Sequence, residues 1–190
     1  MIISRRTTVA ALAAALVLTA GGTATALAAT ASSGAGHAAA SAPLTPPRCY
    51  QDQLTAHLYG PETAFPDEGF NLTLTNVSGQ PCSIYGYPGL GLEDASHGVL
   101  PSHTFWGSTV WTADPGRHLI VLSPGETASA NVAFFASSPT RGPAVYLEVT
   151  PPNDYLHFAL LIPYSLGEYI QHGDLYVTAM AYHTPFLTEY

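Results

Sequence analysis

Apolar and polar residues alternate in short runs along residues 54–150, with the period of two that marks half-buried strands instead of the 3.6 of a helix. Leu54, Ala56 and Leu58 alternate with Thr55, His57 and Tyr59, and Phe70, Leu72 and Leu74 with Asn71, Thr73 and Thr75. Leu90 and Leu92 flank Gly91, and Leu119 and Val121 alternate with His118 and Ile120. Val132 and Phe134 alternate with Asn131 and Ala133, although Phe135 makes that run apolar on both faces. Val145, Leu147 and Val149 alternate with Tyr146, Glu148 and Thr150.

Turn chemistry separates the runs. Ser123-Pro124-Gly125-Glu126 places Pro and Gly at the central positions of a type II turn. Asp114-Pro115-Gly116 and Pro151-Pro152-Asn153-Asp154 are similar joints, and Asp94-Ala95-Ser96-His97-Gly98 reads as a hairpin loop. No window is a convincing amphipathic helix, and sixteen prolines would interrupt most attempts. The expected fold is all-β: about eight or nine short strands in an immunoglobulin-like sandwich of two antiparallel sheets. Leu100 to Arg117 is the least regular stretch, a long connection carrying Phe105, Trp106 and Trp111.

The first 47 residues have another character. Arg5 and Arg6 precede an apolar run from Val9 to Ala20, and Ala26-Leu27-Ala28 is a small-x-small cleavage signal, so residues 1–28 read as an export signal. The run is shorter than the roughly 20 residues of a membrane span. Ser4-Arg5-Arg6-Thr7-Thr8 also resembles the start of a twin-arginine signal, which leaves both export routes open. Residues 29–47 are an Ala/Ser/Gly/Pro-rich spacer without charge, expected to stay unfolded. The folded domain is therefore expected over residues 48–190, enough for one real core.

Charge narrows the partners. Three arginines (Arg48, Arg117, Arg141) face thirteen acidic residues after the spacer, and the chain has no lysine. Such a surface repels phosphate backbones, which argues against nucleic acid. Lysine-dependent chemistry, from Schiff bases to a P-loop, is absent with it. In an exported domain the two cysteines, Cys49 and Cys82, read as one disulfide.

Cys82 lies in Thr75 to Leu90, a stretch that also carries a turn signal and a Tyr-Gly-Tyr-Pro-Gly corner. Arg48-Cys49, Leu74 to Ser78, Pro81 to Gly89, Leu122 to Ala128 and Val149 to Pro152 occur in an order that resembles an actinobacterial family of exported domains of unknown function, the one numbered 4232. The resemblance covers roughly residues 48–181. It implies a signal peptide, a low-complexity spacer and one immunoglobulin-like sandwich, and implies no reaction. Family members often carry a second cysteine pair; here the matching regions, Pro139 to Pro143 and Gln171 to Asp174, hold none.

Hydrolase signatures such as Gly-x-Ser-x-Gly and His-Glu-x-x-His are missing. Asp94, His97, His103, Asp114 and His118 fall close together but match no ligand spacing, and read as solvated loop residues. His57 and His157 are expected to point outward from strands, and His172 and His183 have no evident partner. The carboxylate pairs Asp67-Glu68 and Glu93-Asp94 point to opposite faces of a strand, so neither makes an acid/base pair. Asn71-Leu72-Thr73 and Asn76-Val77-Ser78 fit glycosylation sequons but read as strand and turn chemistry.

The aromatics are the strongest functional hint. Tyr85, Tyr87, Trp106 and Trp111, with Phe105, would form an exposed stacking platform, unless the tryptophans pin loops or core instead. The expected function is a non-catalytic extracellular or cell-wall interaction module with a protein or glycan partner, without cofactor or metal. The alternatives are a carbohydrate-binding module on that platform and, third, a metal-dependent hydrolase.

Overall fold

The structure, a computed structural model, describes residues 45–64, 66–136, 144–163, 170 and 173–182. All the described residues lie in one compact unit, which begins after residue 40. The export signal expected over 1–28, the spacer up to residue 44, Arg141, His172 and His183 lie outside the described residues. Among the described residues there is one three-residue 3₁₀ turn, Gln51–Gln53, and no helix long and apolar enough to cross a membrane.

The domain is all-β. The strands are β1 (Leu54–Ala64), β2 (Asp67–Asn76), β3 (Cys82–Tyr85), β4 (Gly89–Glu93), β5 (Val99–Leu100), β6 (His103–Trp106), β7 (Leu119–Leu122), β8 (Thr127–Phe135), β9 (Tyr146–Thr150), β10 (Phe158–Leu161) and β11 (Asp174–Val177). They form a five-stranded sheet ordered β1-β2-β8-β11-β6, a four-stranded sheet ordered β10-β9-β4-β5, and a β3-β7 ribbon. One apolar cluster joins them: Phe70, Leu72, Val132, Phe134 and Leu175 from the first, Leu92, Leu147 and Val149 from the second, Ile84 and Ile120 from the ribbon. Sheets sharing one core are the sandwich that the alternation predicts.

Three details depart from expectation. There are eleven strands among the described residues, because the connection after Leu100 contains β6 and because the two-residue β5 is too short to show a period. The pairing is not wholly antiparallel: β6 runs parallel to β11, with Tyr176 opposite Phe105 and Val177 opposite Trp106. In β7 the buried residues are Ile120 and Leu122, whereas Leu119 is exposed. A run of four apolar residues carries no phase of its own. Pairing of Ile84 with Ile120 and of Cys82 with Leu122 sets it.

Loop and terminal details follow the local chemistry. Gly125 has φ +84° and the Glu126 N–H donates to the Ser123 carbonyl at 2.9 Å, closing the expected turn. Asn76, fully buried, donates to the Leu122 and Gln80 carbonyls and accepts from the Ser78 N–H and hydroxyl, so it organises the β2–β3 turn. Cys49 and Cys82 are disulfide-bonded. The chain is ordered slightly before Arg48: Ser83 donates its N–H to Pro47 O at 2.8 Å and its hydroxyl to Pro46 O at 2.9 Å. The last residues of the expected spacer thus lie along β3.

Candidate functional site

Two of the four platform residues come together. Gly86, at φ +92°, turns the chain sharply after β3, and Tyr87 then meets Trp106 at the end of β6. Their rings stack with centroids 5.2 Å apart and planes 8° from parallel. The Arg117 guanidinium lies 5.1 Å from the Trp106 ring centre and 5.6 Å from that of Tyr87. A guanidinium capping the far face of Trp106 would stand about twice as far from Tyr87 as this, so Arg117 sits at the rim of the stack. Trp106 keeps 56% of its surface exposed.

Asp114 holds the stack from behind. The Tyr87 hydroxyl donates to Asp114 Oδ2, and the Ala179 N–H donates to Asp114 Oδ1 at 2.8 Å. Burial pushes the Asp114 carboxyl up, but hydrogen bonds from Ala179, Tyr87 and Gly116 together outweigh it and leave the group below its ordinary value. The Tyr87 phenol is pushed up, first by the hydrogen bond it gives Asp114, then by burial and by the Asp114 charge. A carboxyl depressed in the folded state adds stability above its unfolded pKa, and that stability is lost as the pH falls through the folded one. We therefore expect Asp114→Asn to lower the melting temperature at pH 7 and to have a much smaller effect below about pH 3, under the ordinary aspartate range. Melting curves at the two pH values measure this, and an equal gap at both would refute it.

The other aromatics separate from the stack. Trp111 lies over β2, so near Gly69 that a Cβ there would be 2.7 Å from its ring. It is a loop-pinning residue, not part of the platform. Its loop is anchored where the Thr109 hydroxyl donates to Asn131 Oδ1. Phe105 stacks on Tyr176 at 5.1 Å, away from Tyr87 because neighbouring residues of a strand face opposite ways. Tyr85 is exposed at the end of β3 and stacks on no ring among the described residues.

A second grouping, not expected from sequence, lies on the outer face of the four-stranded sheet. Glu93 of β4, Glu148 of β9 and His157, just before β10, place one ligand-type atom each within 4.8 Å of one another. Glu93 Oε1 and His157 Nε2 are 3.4 Å apart, as are Glu148 Oε1 and His157 Nδ1. His97 Nδ1 lies 2.7 Å from Glu93 Oε2, and its ring stacks on Tyr146 at 4.3 Å. Glu93 points away from the core yet its side chain is only 5% exposed. Of the histidines read as solvated loop residues, His97 belongs to this cluster, whereas His103 lies 3.4 Å from Asp174 and His118 Nδ1 lies 2.9 Å from the Gly116 carbonyl. His157, expected to point outward from a strand, lies just before β10 and joins the cluster too. Asp94 is occupied by its own turn: the Ser96 hydroxyl and the N–H groups of Gly98 and Ser96 hold its carboxyl below the usual range. Glu68 stands apart from both groupings, with its carboxyl pushed up by burial.

Comparison with known families gives one match: a profile of the family described as "Domain of unknown function (DUF4232)" covers residues 49–181. The chain belongs to this family. The matched region of the DUF4232 domain opens on the half-cystine Cys49 and includes all eleven strands, the Tyr87–Trp106 stack and the Glu93–Glu148–His157 cluster. No curated protein and no solved structure matches the chain.

Proposed function

We propose that this DUF4232 domain is a non-catalytic binding module that works outside the cell or at its wall and holds a protein or glycan partner on the ledge made by Trp106, Tyr87 and Arg117. The observation that carries this reading is the exposed, flat and immobilised Trp106 ring, stacked on Tyr87 and rimmed by a cation. An exposed aromatic ring held rigid contributes contact area at small entropic cost, the property of an anchor. Export rests on the N-terminal signal pattern, and the disulfide fits an oxidising compartment. The acidic, lysine-free composition disfavours nucleic acid as the partner.

Glycan is the reading for which the flat ring speaks most, since sugar rings present apolar C–H faces to aromatic planes. Titration of the protein with cell-wall and plant polysaccharides, alongside retention on its own cell-envelope fraction, separates glycan from protein partners. Trp106→Ala should fold normally and weaken binding about tenfold or more, the loss of one stacked ring. Unchanged retention of that variant on the envelope would remove the ledge as the contact surface.

A further inference from the structure

We infer that Glu93, Glu148 and His157 form a binding site for one divalent transition-metal ion of the zinc class, with His97 orienting the Glu93 carboxylate. Spacing is the first ground. The two 3.4 Å nitrogen–oxygen separations are longer than normal hydrogen bonds, and neither nitrogen of His157 makes a hydrogen bond among the described residues. For nitrogen and oxygen ligands at about 2.0–2.1 Å from a tetrahedral zinc ion, neighbouring ligand atoms stand about 3.3–3.4 Å apart. The Glu93 Oε1–His157 Nε2 edge already has that length. Because an ion takes only one nitrogen of the ring, the Glu148 contact on Nδ1 is not a second such edge. One ligand atom from each of the three residues lies within 4.8 Å of the others, and a small side-chain rotation closes the set.

The donor set is the second ground. Two carboxylates share the cluster, one of them on a side chain 5% exposed, and buried charges need compensation. The chain has no lysine. The described arginines are engaged elsewhere, Arg48 over Tyr50 and Arg117 on the aromatic ledge. Among the described residues the groups facing these carboxylates are therefore His97 and His157, ligand-type side chains, with no arginine or lysine beside them, and a divalent cation fits that set.

The surroundings fit the role. Glu148 folds across Gly91, where an added Cβ would lie 3.0 Å from Oε2, so the glycine leaves room for the carboxylate to lie inward. His97 reaches Glu93 Oε2 at 2.7 Å and leaves Oε1 facing His157, the arrangement in which an outer residue orients a ligating carboxylate. His157 is 42% exposed, which opens a path for the ion and leaves a fourth position to water or to a group from a partner. Glu93 and Glu148 come from adjacent strands and His157 from the approach to the third, so a bound ion would cross-link β4, β9 and the β9–β10 connection. This inference does not depend on the aromatic ledge.

The test uses untagged, folded protein stripped with a chelator. Zinc competition against a chromogenic chelator should show one equivalent bound, and cobalt should give the strong visible absorption of a tetrahedral site. Glu148→Gln, which keeps the size of the side chain, and His157→Ala, at an exposed position, should each weaken zinc binding by about a hundredfold, and His97→Ala by about tenfold. Zinc should raise the melting temperature of the parent protein and not of Glu148→Gln. No zinc uptake by the parent, or uptake that both Glu148→Gln and His157→Ala leave unchanged, would overturn the site.

Discussion

Cys82→Ser is expected to melt about 10–15 °C below the parent protein. The disulfide to Cys49 spans a sequence separation of 33 residues. Closing such a loop restricts the unfolded chain by about 3–4 kcal/mol in the entropic model, and a domain of this size loses about 3–4 °C for each kcal/mol. The serine hydroxyl adds to the loss, because Cys49 and Cys82 are both 1% exposed and a buried hydroxyl needs a partner. Against this, the segment carrying Cys49 is also held by hydrogen bonds. Cys49 N–H donates to Ser83 O and Ser83 N–H donates to Pro47 O, both at 2.8 Å. Those bonds are surface-accessible at one end and close only after the segment has docked, so they cannot substitute for a covalent link in the unfolded state. The double variant Cys49→Ala plus Cys82→Ala separates the cross-link from the polar replacement and should recover a few degrees relative to Cys82→Ser. Calorimetry measures both. Melting of Cys82→Ser within a degree of the parent would show that the hydrogen-bonded segment suffices alone. The chain has no other cysteine to form a second brace.

Strand identity was legible where one face is wet and opaque where both faces are covered. Leu54 and Ala56 are buried and Thr55 and His57 exposed, as the alternation of β1 predicts. The same alternation in β2 predicts wet Asn71 and Thr73, yet each is only 3% exposed. The reason is a roof. One extra residue between Tyr59 and Glu62 shifts the β1 register, and Glu62 then accepts hydrogen bonds from Asn71 Nδ2 at 2.8 Å and Asn131 Nδ2 at 2.7 Å. A polar face can thus be buried when its amides and a carboxylate satisfy one another. Periodicity tells which side of a strand differs from the other, and not what lies above it.

The functional groupings were harder to read because they depend on strand pairing. Trp106 and Trp111 are close in sequence, and that nearness suggested a shared platform. The five-residue interval instead carries the chain from the end of β6 to the outer face of β2. Tyr87, far from Trp106 in sequence, is its stacking partner because the turn after β3 and the end of β6 meet. Glu93 read as half of a surface carboxylate pair with Asp94, Glu148 as the polar side of a strand and His157 as an outward-pointing histidine. They converge because β9 lies between β4 and β10, an order that no local pattern encodes. The usable signal was weak but present: Glu93 ends an otherwise apolar run and is followed four residues later by a histidine.

Gly69→Ala is expected to destabilise the domain by about 3 kcal/mol, through overpacking on a fixed backbone. Gly69 lies in the middle of the sheet, paired with Ala133 of β8 and facing outward beneath Trp111. An added Cβ would fall inside contact distance of the Val132 carbonyl oxygen and 2.7 Å from the Trp111 ring. The carbonyl belongs to the β2–β8 ladder and cannot retreat without loosening it. The indole can, but its loop is tethered where Thr112 N–H donates to the Thr109 hydroxyl at 3.1 Å and where that hydroxyl donates to Asn131. Displacing Trp111 therefore also disturbs Asn131, which is fully buried and bonded to Glu62. The two contributions can be divided by a double-mutant cycle. Trp111→Ala alone should cost about 2 kcal/mol of lost burial. Gly69→Ala should cost about 1 kcal/mol less when Trp111 is already alanine, because only the carbonyl contact remains. In a Trp106→Phe background, where Trp111 is the sole tryptophan, Gly69→Ala should also move the emission to the red as the ring is lifted into water. Strict additivity in the cycle, with no spectral shift, would mean that Trp111 does not rest on Gly69.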